Sequence, residues 1–267
     1  MLLVIDVGNT NTVIGVYEGE TLKRDWRVVT RRDRTADEYG ILFKQLLGLA
    51  GLECSDIEGI SISCVVPPLL PALMDLSRNF FGVPDPLVVS PGVKTGISVR
   101  VDNPREVGAD RIVNAVAAFE VHKTAMIVID FGTATTFDFV TSKGVFEGGV
   151  IAPGLAISTE ALFKEASKLP RVELTRPKRV IGKSTVTAMQ SGIIFGYAGM
   201  VDAMVDRIRD EVKREWPDEP EPKVIATGGL AGLLAPESRT IRDIDQDLTL
   251  KGLQIIYQRN REGQVKE

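Results

Sequence analysis

The chain has 267 residues, enough for one or two domains with a sizeable core. Hydrophobic residues make up 44% of it and charged residues 25%, which is ordinary for a soluble globular protein. A formal net charge of -4 excludes a basic field for nucleic acid or anionic lipid, and no apolar run reaches the ~18 residues of a membrane span. We therefore expect a cytoplasmic protein with neither a nucleic acid nor a membrane as partner.

Few side chains are available for metal or triad chemistry. Cys54 and Cys64 are too few for a disulfide framework, and no CxxC or Cys/His cluster indicates zinc. The single histidine, His122, ends an Ala-rich helical pattern, where a solvated or C-terminal helix histidine is a better interpretation than a triad member. The chemistry should fall to carboxylates, hydroxyls and backbone groups.

The chain begins with an apolar run that stops at DVGNTNT, residues 6–12, and then resumes. This pattern predicts a β-hairpin whose turn carries an Asp, a Gly and small polar donors. Glycine permits positive φ and a close approach to the backbone, and successive N–H groups can form an anion-binding concavity. Asp6 interrupts the apolar start, which has no basic n-region, so no signal peptide is expected.

The next elements follow from periodicity. Residues 35–52 have helical spacing that begins with a capping signal, and residues 58–66 and 85–90 have the pattern of buried strands. Within DNPREVGADRIVNAVAAF, residues 102–119, apolar residues recur at helical spacing from Arg111 onward. The Gly-Ala-Asp-Arg tetrapeptide, hereafter the GADR segment (residues 108–111), is therefore expected at or near a helix N-terminus.

Asp110 and Arg111 have two interpretations that the local sequence leaves open. In the structural one, Asp110 is the helix N-cap and Arg111 a solvated first-turn residue. In the functional one, the Asp110 carboxylate accepts a proton and is held ionised by the helix dipole and the neighbouring Arg111. Arg111 could then bind a substrate carboxylate in a bidentate pair.

The opening motif returns in MIVIDFGTATTFDFV, residues 126–140. Alignment of residues 126–140 with residues 2–16 matches Asp6 with Asp130, Gly8 with Gly132 and Thr12 with Thr136. Small polar residues also correspond at Asn9/Thr133 and Asn11/Thr135. A turn explains one glycine and its polar neighbours, but not the same Asp, Gly and Thr about half a chain apart. The repeat favours two loops that together bind phosphate groups.

The second half continues the pattern of the first. Residues 144–154 extend the hairpin, residues 155–167 and 185–213 have helical spacing, and residues 223–229 predict a strand that ends in a Gly turn. Residues 215–222 predict a solvated loop. No long linker is evident, so the two halves should pack closely.

Residues 182–185, GKST, resemble the end of a P-loop. The full motif requires a first glycine where this chain has Pro177, and a Pro- and Arg-rich stretch precedes the segment instead of a buried strand. No G-x-G-x-x-G follows a strand either. Neither a P-loop nor a dinucleotide fold is supported.

Six motifs in this order and spacing closely resemble type III pantothenate kinase: DVGNTNT, NPREVGADR, DFGTATT, GGVIAPG, GKSTVTAMQSG and ATGG. The resemblance implies an α/β protein with duplicated RNase H-like domains that face each other across an ATP cleft, as in the actin-like ATPases and sugar kinases. The domains would span residues 1–118 and 119–267. The family also implies a homodimer with the substrate site near the interface.

The resemblance implies the following site residues. The first phosphate loop would bind ATP through Asp6, Val7, Gly8, Asn9, Thr10, Asn11, Thr12 and Val13. Asp6 would lie near the Mg²⁺ of MgATP, Thr133 would contact ATP from the second loop, and Asp130 would hold a monovalent cation, K⁺ or NH₄⁺. Pantothenate would contact Gly108, Ala109, Asp110 and Arg111, with Asp110 as the general base, and Thr185 from the partner subunit.

Simpler interpretations accompany some of these residues. Without the family, Thr185 is better explained as a helix N-cap, and turns alone would explain Gly148, Gly149, Gly154, Gly228 and Gly229. Val101 stands where related enzymes often carry a Tyr, which puts one aromatic contact to the substrate in doubt.

The expected function is phosphorylation of pantothenate by ATP to 4'-phosphopantothenate, the first step of coenzyme A biosynthesis. One alternative is a non-catalytic transcriptional accessory factor of the same family. Another is a kinase of the same superfamily that acts on a different small hydroxylated or carboxylic acid.

Overall fold

The computed structural model describes residues 1–261. Its strands are β1 Leu2–Val7, β2 Asn11–Glu18, β3 Thr21–Val29, β4 Gly59–Cys64, β5 Leu87–Val88, β6 Ser98–Val99, β7 Met126–Phe131, β8 Ala134–Val140, β9 Val145–Pro153, β10 Lys223–Thr227 and β11 Asp243–Ile244. Its helices are α1 Ala36–Leu49, α2 Leu70–Phe81, α3 Ala109–His122, α4 Leu155–Glu165, α5 Thr185–Glu215, α6 Ala231–Leu234 and α7 Leu248–Arg261. Among these helices, none combines the length and hydropathy that a membrane crossing requires.

The chain divides into two compact units. Unit 1 contains Met1–Gly96, Asp102–Ala117 and residues 248–261, and unit 2 contains Ile97–Val101 and Ala118–Asp247. The division inside α3 lies next to the expected boundary at residues 118/119. The chain after Leu248 nevertheless groups with the first unit, and residues 262–267 of the expected second domain lie outside the described residues.

The two units contain sheets of the same strand order. In unit 1 the order is β3-β2-β1-β4-β5, and in unit 2 it is β9-β8-β7-β10-β11 with β6 added beside β9. In each sheet the first three strands pair antiparallel, and the central strand pairs parallel with the fourth. The predicted duplication is confirmed at the level of topology.

The strand register corrects the sequence alignment of the repeat. In unit 1, Val7 of β1 pairs with Thr12 of β2. In unit 2, Phe131 of β7 pairs with Thr135 of β8, and Thr136 lies opposite Asp130. Thr12 therefore corresponds to Thr135, and the match of Thr12 with Thr136 was wrong.

Two β-bulges support this correction. The register of β2 against β3 shifts between Val16 and Tyr17, and that of β8 against β9 shifts between Phe139 and Val140. Val16 lies four residues after Thr12, and Phe139 lies four residues after Thr135. The second turn is one residue shorter than the first, and a strand register follows the turn length and not the spacing of similar letters.

One face of the unit 1 sheet forms its hydrophobic core. Because side chains alternate along a strand, Leu3, Ile5 and Val7 point to this face together with Ile60 and Ile62. They pack with buried residues of α1 and α2, namely Tyr39, Phe43, Leu47, Leu73 and Leu76.

The opposite face of the same sheet is covered by α7. A Cβ on Gly15 would lie 3.0 Å from Val4 and 3.1 Å from Leu250, and Ser61 donates a hydrogen bond to the carbonyl of Leu253 at 3.2 Å. Asp6 lies on this face of β1, two residues beyond Val4.

Most predicted helices and strands are confirmed. Thr35 caps α1 in a reciprocal capping box with Glu38, as the sequence signal indicated. The strand expected over residues 85–90 is reduced to Leu87–Val88, and residues 166–184 form a long irregular connection that was not expected. In the predicted solvated loop, Trp216 packs against Phe139 with ring centroids 5.3 Å apart.

Helices α3 and α7 approach each other closely in unit 1. A Cβ on Gly252 of α7 would lie 2.1 Å from the carbonyl oxygen of Val113 in α3. Only a glycine allows this separation, because a backbone oxygen cannot move aside as a side chain can.

We predict that Gly252→Ala lowers the free energy of unfolding by roughly 1–3 kcal/mol, since the helices must separate to admit the methyl group. Gly48→Ala is the matched control, because a Cβ at this α1 position meets nothing within 4 Å. It should stabilise the protein by about 0.5–1 kcal/mol through helix propensity. Thermal melting of both variants checks the pair, and equal melting temperatures would contradict the close contact.

Candidate active site

The loop between β1 and β2, for which the sequence predicted phosphate binding, is braced by Thr30, which follows β3. Gly8 N–H donates to the Asn11 carbonyl at 3.0 Å, which closes the turn between β1 and β2. Thr30 donates from Oγ1 to the Gly8 carbonyl at 2.8 Å and from its backbone N–H to the Thr10 carbonyl at 3.0 Å. Its hydroxyl also lies 2.9 Å from that of Thr12. No motif in the sequence indicated Thr30, because it joins the loop only through the pairing of β3 with β2.

The GADR segment begins α3, but Asp110 is not its N-cap. The Gly108 carbonyl accepts a hydrogen bond from the Ile112 N–H at 3.3 Å, so Gly108 occupies the N-cap position and Asp110 lies within the first turn. The Asp110 Oδ1 accepts a hydrogen bond from the Arg111 N–H at 2.8 Å. The N-cap interpretation of Asp110 was wrong.

Gly108 makes room for the Asp110 carboxylate. A Cβ on Gly108 would lie 2.5 Å from the Asp110 Oδ1 and 3.7 Å from the Val65 Cγ1. Any side chain at residue 108 would push the carboxylate from its place. The glycine is thus required for the position of Asp110 and not only for a turn.

Val65 connects the GADR segment to the end of the sheet that carries Asp6. Val65 directly follows β4, and its N–H donates to the Val7 carbonyl at 3.0 Å, just beyond Asp6 in β1. Parallel strands bring their carboxyl ends to one edge of a sheet, where ligands of α/β proteins commonly bind. The fold of unit 1 therefore gathers the first loop, Asp6 and the GADR segment at one edge.

Burial dominates the electrostatics of Asp110. Loss of solvent raises the pKa of its carboxyl above the usual value, and the hydrogen bond and charge of Arg111 oppose that rise without cancelling it. We expected the dipole and Arg111 to keep this group ionised, but desolvation is the larger effect. A carboxylate with a raised pKa is a stronger base.

The second loop in unit 2 depends on close backbone contacts at two glycines. Gly154 N–H donates to the Thr133 carbonyl at 3.1 Å, and a Cβ on Gly154 would lie 2.1 Å from that oxygen. Gly228 has a φ of +90°, and a Cβ there would lie 2.4 Å from the Asp130 Oδ1. These glycines shape the surroundings of Thr133 and Asp130, beyond forming turns.

Tyr197 of α5 supports the second loop. Its hydroxyl donates to the Pro153 carbonyl at the end of β9 and lies 3.2 Å from the Thr135 hydroxyl. Thr135 corresponds to Thr12 by register, so the two buried threonines each meet a hydroxyl from outside the hairpin. Tyr197 carried no signal in the sequence.

Thr185 is the first residue of α5 and not its cap. Ser184 is the N-cap: its Oγ accepts from the Thr187 N–H at 3.2 Å, and the Thr187 Oγ1 accepts from the Ser184 N–H at 3.1 Å. Thr185 is exposed and lines a cavity of about 940 Å³ formed by α4, α5 and the connection between them. Gly182 of the GKST segment packs against α5, where a Cβ would lie 2.3 Å from the Ala188 nitrogen. An irregular connection, and not a strand, leads directly into this segment.

Comparison with known proteins identifies the family. A family model described as type III pantothenate kinase matches residues 2–207. A type III pantothenate kinase from Geotalea daltonii is 59% identical over 263 residues, which cover 98% of this chain and 100% of that protein. The chain belongs to the type III pantothenate kinase family.

Further members agree over nearly the full length. Type III pantothenate kinases from Geobacter sulfurreducens and Syntrophotalea carbinolica are 59% and 55% identical, and each alignment covers 98% of this chain and 100% of the relative. The six motifs that suggested the family therefore lie in a chain that is similar to its members throughout.

Solved structures of more distant proteins show the same fold. A ROK family protein from Streptococcus pneumoniae in complex with sucrose has a TM-score of 0.55 at 8% identity, covering 98% of this chain and 99% of that one. A protein from Campylobacter jejuni whose description places it in the Baf family of transcriptional activators has a TM-score of 0.58 at 18% identity, with 97% and 99% covered. At such identities the likeness concerns the fold alone. It confirms the α/β fold class with duplicated RNase H-like domains.

The oxygen donors of this pantothenate kinase family member suit a nucleotide-bound Mg²⁺. Mg²⁺ usually keeps several waters and takes only one or two protein carboxylates beside substrate phosphates. Within residues 1–261, no group of three or more His, Cys, Asp or Glu side chains is placed to hold a metal ion. Asp6, at the carboxyl end of β1, offers one carboxylate, which fits this mode of binding.

We predict that Asp110→Asn is more stable than the wild type at neutral pH. Because the pKa of Asp110 is raised in the folded state, its contribution to stability is present below the unfolded pKa and is lost as the pH rises through the folded pKa. The amide has the same shape and does not ionise. Melting temperatures measured from about pH 3, below the ordinary Asp pKa, up to about pH 8 should diverge in favour of the variant as the pH rises through the folded pKa. A constant difference over that whole range would contradict the prediction.

Proposed function

We propose that this protein transfers the γ-phosphoryl group of ATP to the hydroxyl of pantothenate, forming 4'-phosphopantothenate, the first step of coenzyme A biosynthesis. Membership of the family supports this reaction. The observation that carries the proposal is the partly buried Asp110 carboxylate, at the same edge of the unit 1 sheet as the first phosphate loop. A base and a phosphate-binding loop at one edge are what a kinase for a small alcohol requires.

We propose that the backbone N–H groups and hydroxyls of two loops bind ATP. The loop from Asp6 to Val13 would contact the phosphates, with side chains and N–H groups of Val7, Gly8, Asn9, Thr10, Asn11 and Thr12, and Thr133 would contact ATP from the second loop. Phosphoryl transfer passes through a loose transition state that needs alignment and charge neutralisation more than covalent help. Thr30 and Tyr197 brace these loops, so the donors are held in place before the nucleotide arrives.

We propose that Asp110 is the general base. It would orient the pantothenate hydroxyl and take its proton late in the transfer, when that oxygen has become acidic. Arg111 would bind the pantothenate carboxylate in a bidentate pair, and Gly108 and Ala109 would contact the substrate through their backbone. The raised pKa of Asp110 favours the role of base over that of a permanently ionised cap.

We propose Mg²⁺ near Asp6 and a monovalent cation, K⁺ or NH₄⁺, at Asp130. Mg²⁺ would neutralise charge on the nucleotide phosphates, and this chain has no P-loop lysine to add a further positive charge. Gly228 supports this role, since a side chain there would clash with the Asp130 Oδ1 and displace the carboxylate.

We propose that the protein is a homodimer in the cytoplasm and that Thr185 contacts pantothenate bound by the partner subunit. Six large apolar side chains are exposed between residues 151 and 186 of unit 2: Ile151, Ile157, Leu162, Val180, Ile181 and Val186. Ile181 is 82% exposed, close to the cavity that Thr185 lines. Exposed apolar surface of this kind marks interfaces in proteins that associate. The two domains would be bounded near residue 118, with the last helix returning to the first domain.

Two other functions can be distinguished by experiment from the phosphorylation of pantothenate. A non-catalytic transcriptional accessory factor would not transfer phosphate, and a kinase for another hydroxylated or carboxylic acid would use a different acceptor. The intact GADR segment and the negative net charge favour the pantothenate kinase.

The purified protein should phosphorylate pantothenate with MgATP, and other small hydroxy acids and sugars should be poor acceptors. Asp110→Asn should keep the fold and nucleotide binding but lower turnover by roughly 10²–10⁴, the usual contribution of a general base. A coupled assay for ADP release with a panel of acceptors checks both expectations. Phosphorylation of a different acceptor would favour the second alternative, and turnover near the wild type would remove Asp110 from the reaction.

Activity with MgATP should be low in sodium or Tris buffer and rise with potassium or ammonium at constant ionic strength. A triphosphate brings more negative charge than one Mg²⁺ cancels, and a cation at Asp130 would supply the difference. Asp130→Asn should weaken the response and raise the KM for ATP. Equal activity of the wild type in sodium and potassium would count directly against the cation site.

A further inference from the structure

Ser63 carries a buried hydroxyl that the fold itself does not use. It lies at 0% exposure in β4, and its Oγ has no hydrogen-bond partner within the described chain, residues 1–261. Most buried polar side chains are hydrogen-bonded, and an exception calls for a ligand, a water or an ion. The Ser63 hydroxyl is therefore a candidate partner for a ligand, a water or an ion.

The position of Ser63 connects it with the Asp6 carboxylate. Ser63 and Asp6 are paired residues of the parallel strands β4 and β1, so their side chains lie side by side on the same face of the sheet. Each is the next-to-last residue of its strand, at the edge where the first phosphate loop and the GADR segment meet. Neighbouring strands lie about 4.7–4.9 Å apart, so a hydroxyl and a carboxylate on paired residues can share one water molecule.

The duplicated sheet repeats this arrangement. In unit 2 the partner of Asp130 across the parallel strands β7 and β10 is Thr227, which is also buried. A hydroxyl residue thus stands beside the aspartate of the DxG motif in both copies, although the surrounding side chains differ. The pairing belongs to the duplicated site and not to the packing of one unit.

Ser61, on the same strand, is a serine whose hydroxyl is hydrogen-bonded within the fold. It lies two residues before Ser63, on the same face and equally buried. Its Oγ donates to the Leu253 carbonyl of α7 at 3.2 Å. The fold satisfies Ser61 and leaves Ser63 for a ligand.

We propose that Ser63 is a positioning residue that holds, together with Asp6, a water molecule in the hydration shell of the divalent metal bound to the nucleotide. This inference rests on the proposed function, which supplies the nucleotide and its metal. Mg²⁺ retains several waters when phosphates bind it, and such waters need protein groups to orient them. Ser63 can donate one hydrogen bond and accept others, which suits a water shared with a carboxylate.

The test compares Ser63→Ala with Ser61→Ala in the full-length protein, using Mn²⁺ and a non-hydrolysable ATP analogue. Electron paramagnetic resonance and calorimetry measure the affinity for the nucleotide with Mn²⁺ and with EDTA. Ser63→Ala should weaken binding of the Mn²⁺–nucleotide complex by about three- to tenfold, the effect of one hydrogen bond, and leave metal-free binding unchanged. Ser61→Ala should bind both forms like the wild type.

Thermal stability separates a positioning role from a structural one. Ser61→Ala should melt at a lower temperature, because the Leu253 carbonyl loses its donor, whereas Ser63→Ala should melt at the wild-type temperature or above it. Unchanged Mn²⁺–nucleotide affinity in Ser63→Ala, an equal loss with and without metal, or a lower melting temperature would each overturn the inference.

Failure of the proposed function gives a different result. A wild type that binds the Mn²⁺–nucleotide complex but does not phosphorylate pantothenate would overturn the proposed substrate and leave the role of Ser63 to be decided by its variant. A wild type that binds no nucleotide in the presence of metal would overturn both.

Discussion

The parallel pairing of β1 with β4 is the constraint on which the candidate site depends. This register places Asp6 beside Ser63 and carries Val65 to the end of β1, where its N–H binds the Val7 carbonyl. Gly108 of the GADR segment lies beside Val65, since a Cβ on Gly108 would be 3.7 Å from the Val65 Cγ1. A slip of one residue would turn Asp6 into the hydrophobic core and Val7 toward α7, so the pairing has little freedom.

Two glycines leave room for the carboxylates of Asp110 in α3 and Asp130 in β7. A Cβ on Gly108 would lie 2.5 Å from the Asp110 Oδ1, and a Cβ on Gly228 would lie 2.4 Å from the Asp130 Oδ1. A methyl group at either position would move an oxygen that the proposed chemistry needs. The same absence of a side chain lets α7 cross α3 at Gly252. These contacts are steric, and they explain why glycine stands there better than turn propensity does.

Asp110 illustrates a conflict between stability and function. The helix N-terminus and Arg111 favour its ionised form, but burial raises its pKa, so at neutral pH the folded protein holds a carboxylate that it does not solvate well. Such groups concentrate in active sites, because a basic carboxylate is useful in proton transfer. Ser63 is similar, since its buried hydroxyl has no partner among the described residues and does not stabilise the fold.

The sequence alone predicted most of the helices and strands and the duplication, its motifs indicated the family, and it supplied Asp6, Asp110 and Asp130 as candidate residues, because periodicity, turn chemistry and motifs are read along the chain. It did not predict β3, α2 or α7. It assigned Thr12 the wrong counterpart and gave no sign of Thr30, Tyr197 or Ser63. The N-cap interpretation that it allowed for Asp110 was two positions away from the actual cap, and the one that it offered for Thr185 was one position away. Those features depend on strand register, on contacts between distant segments and on desolvation. Only the tertiary structure decides them, since each is a property of two or more segments in contact and cannot be predicted from one segment alone.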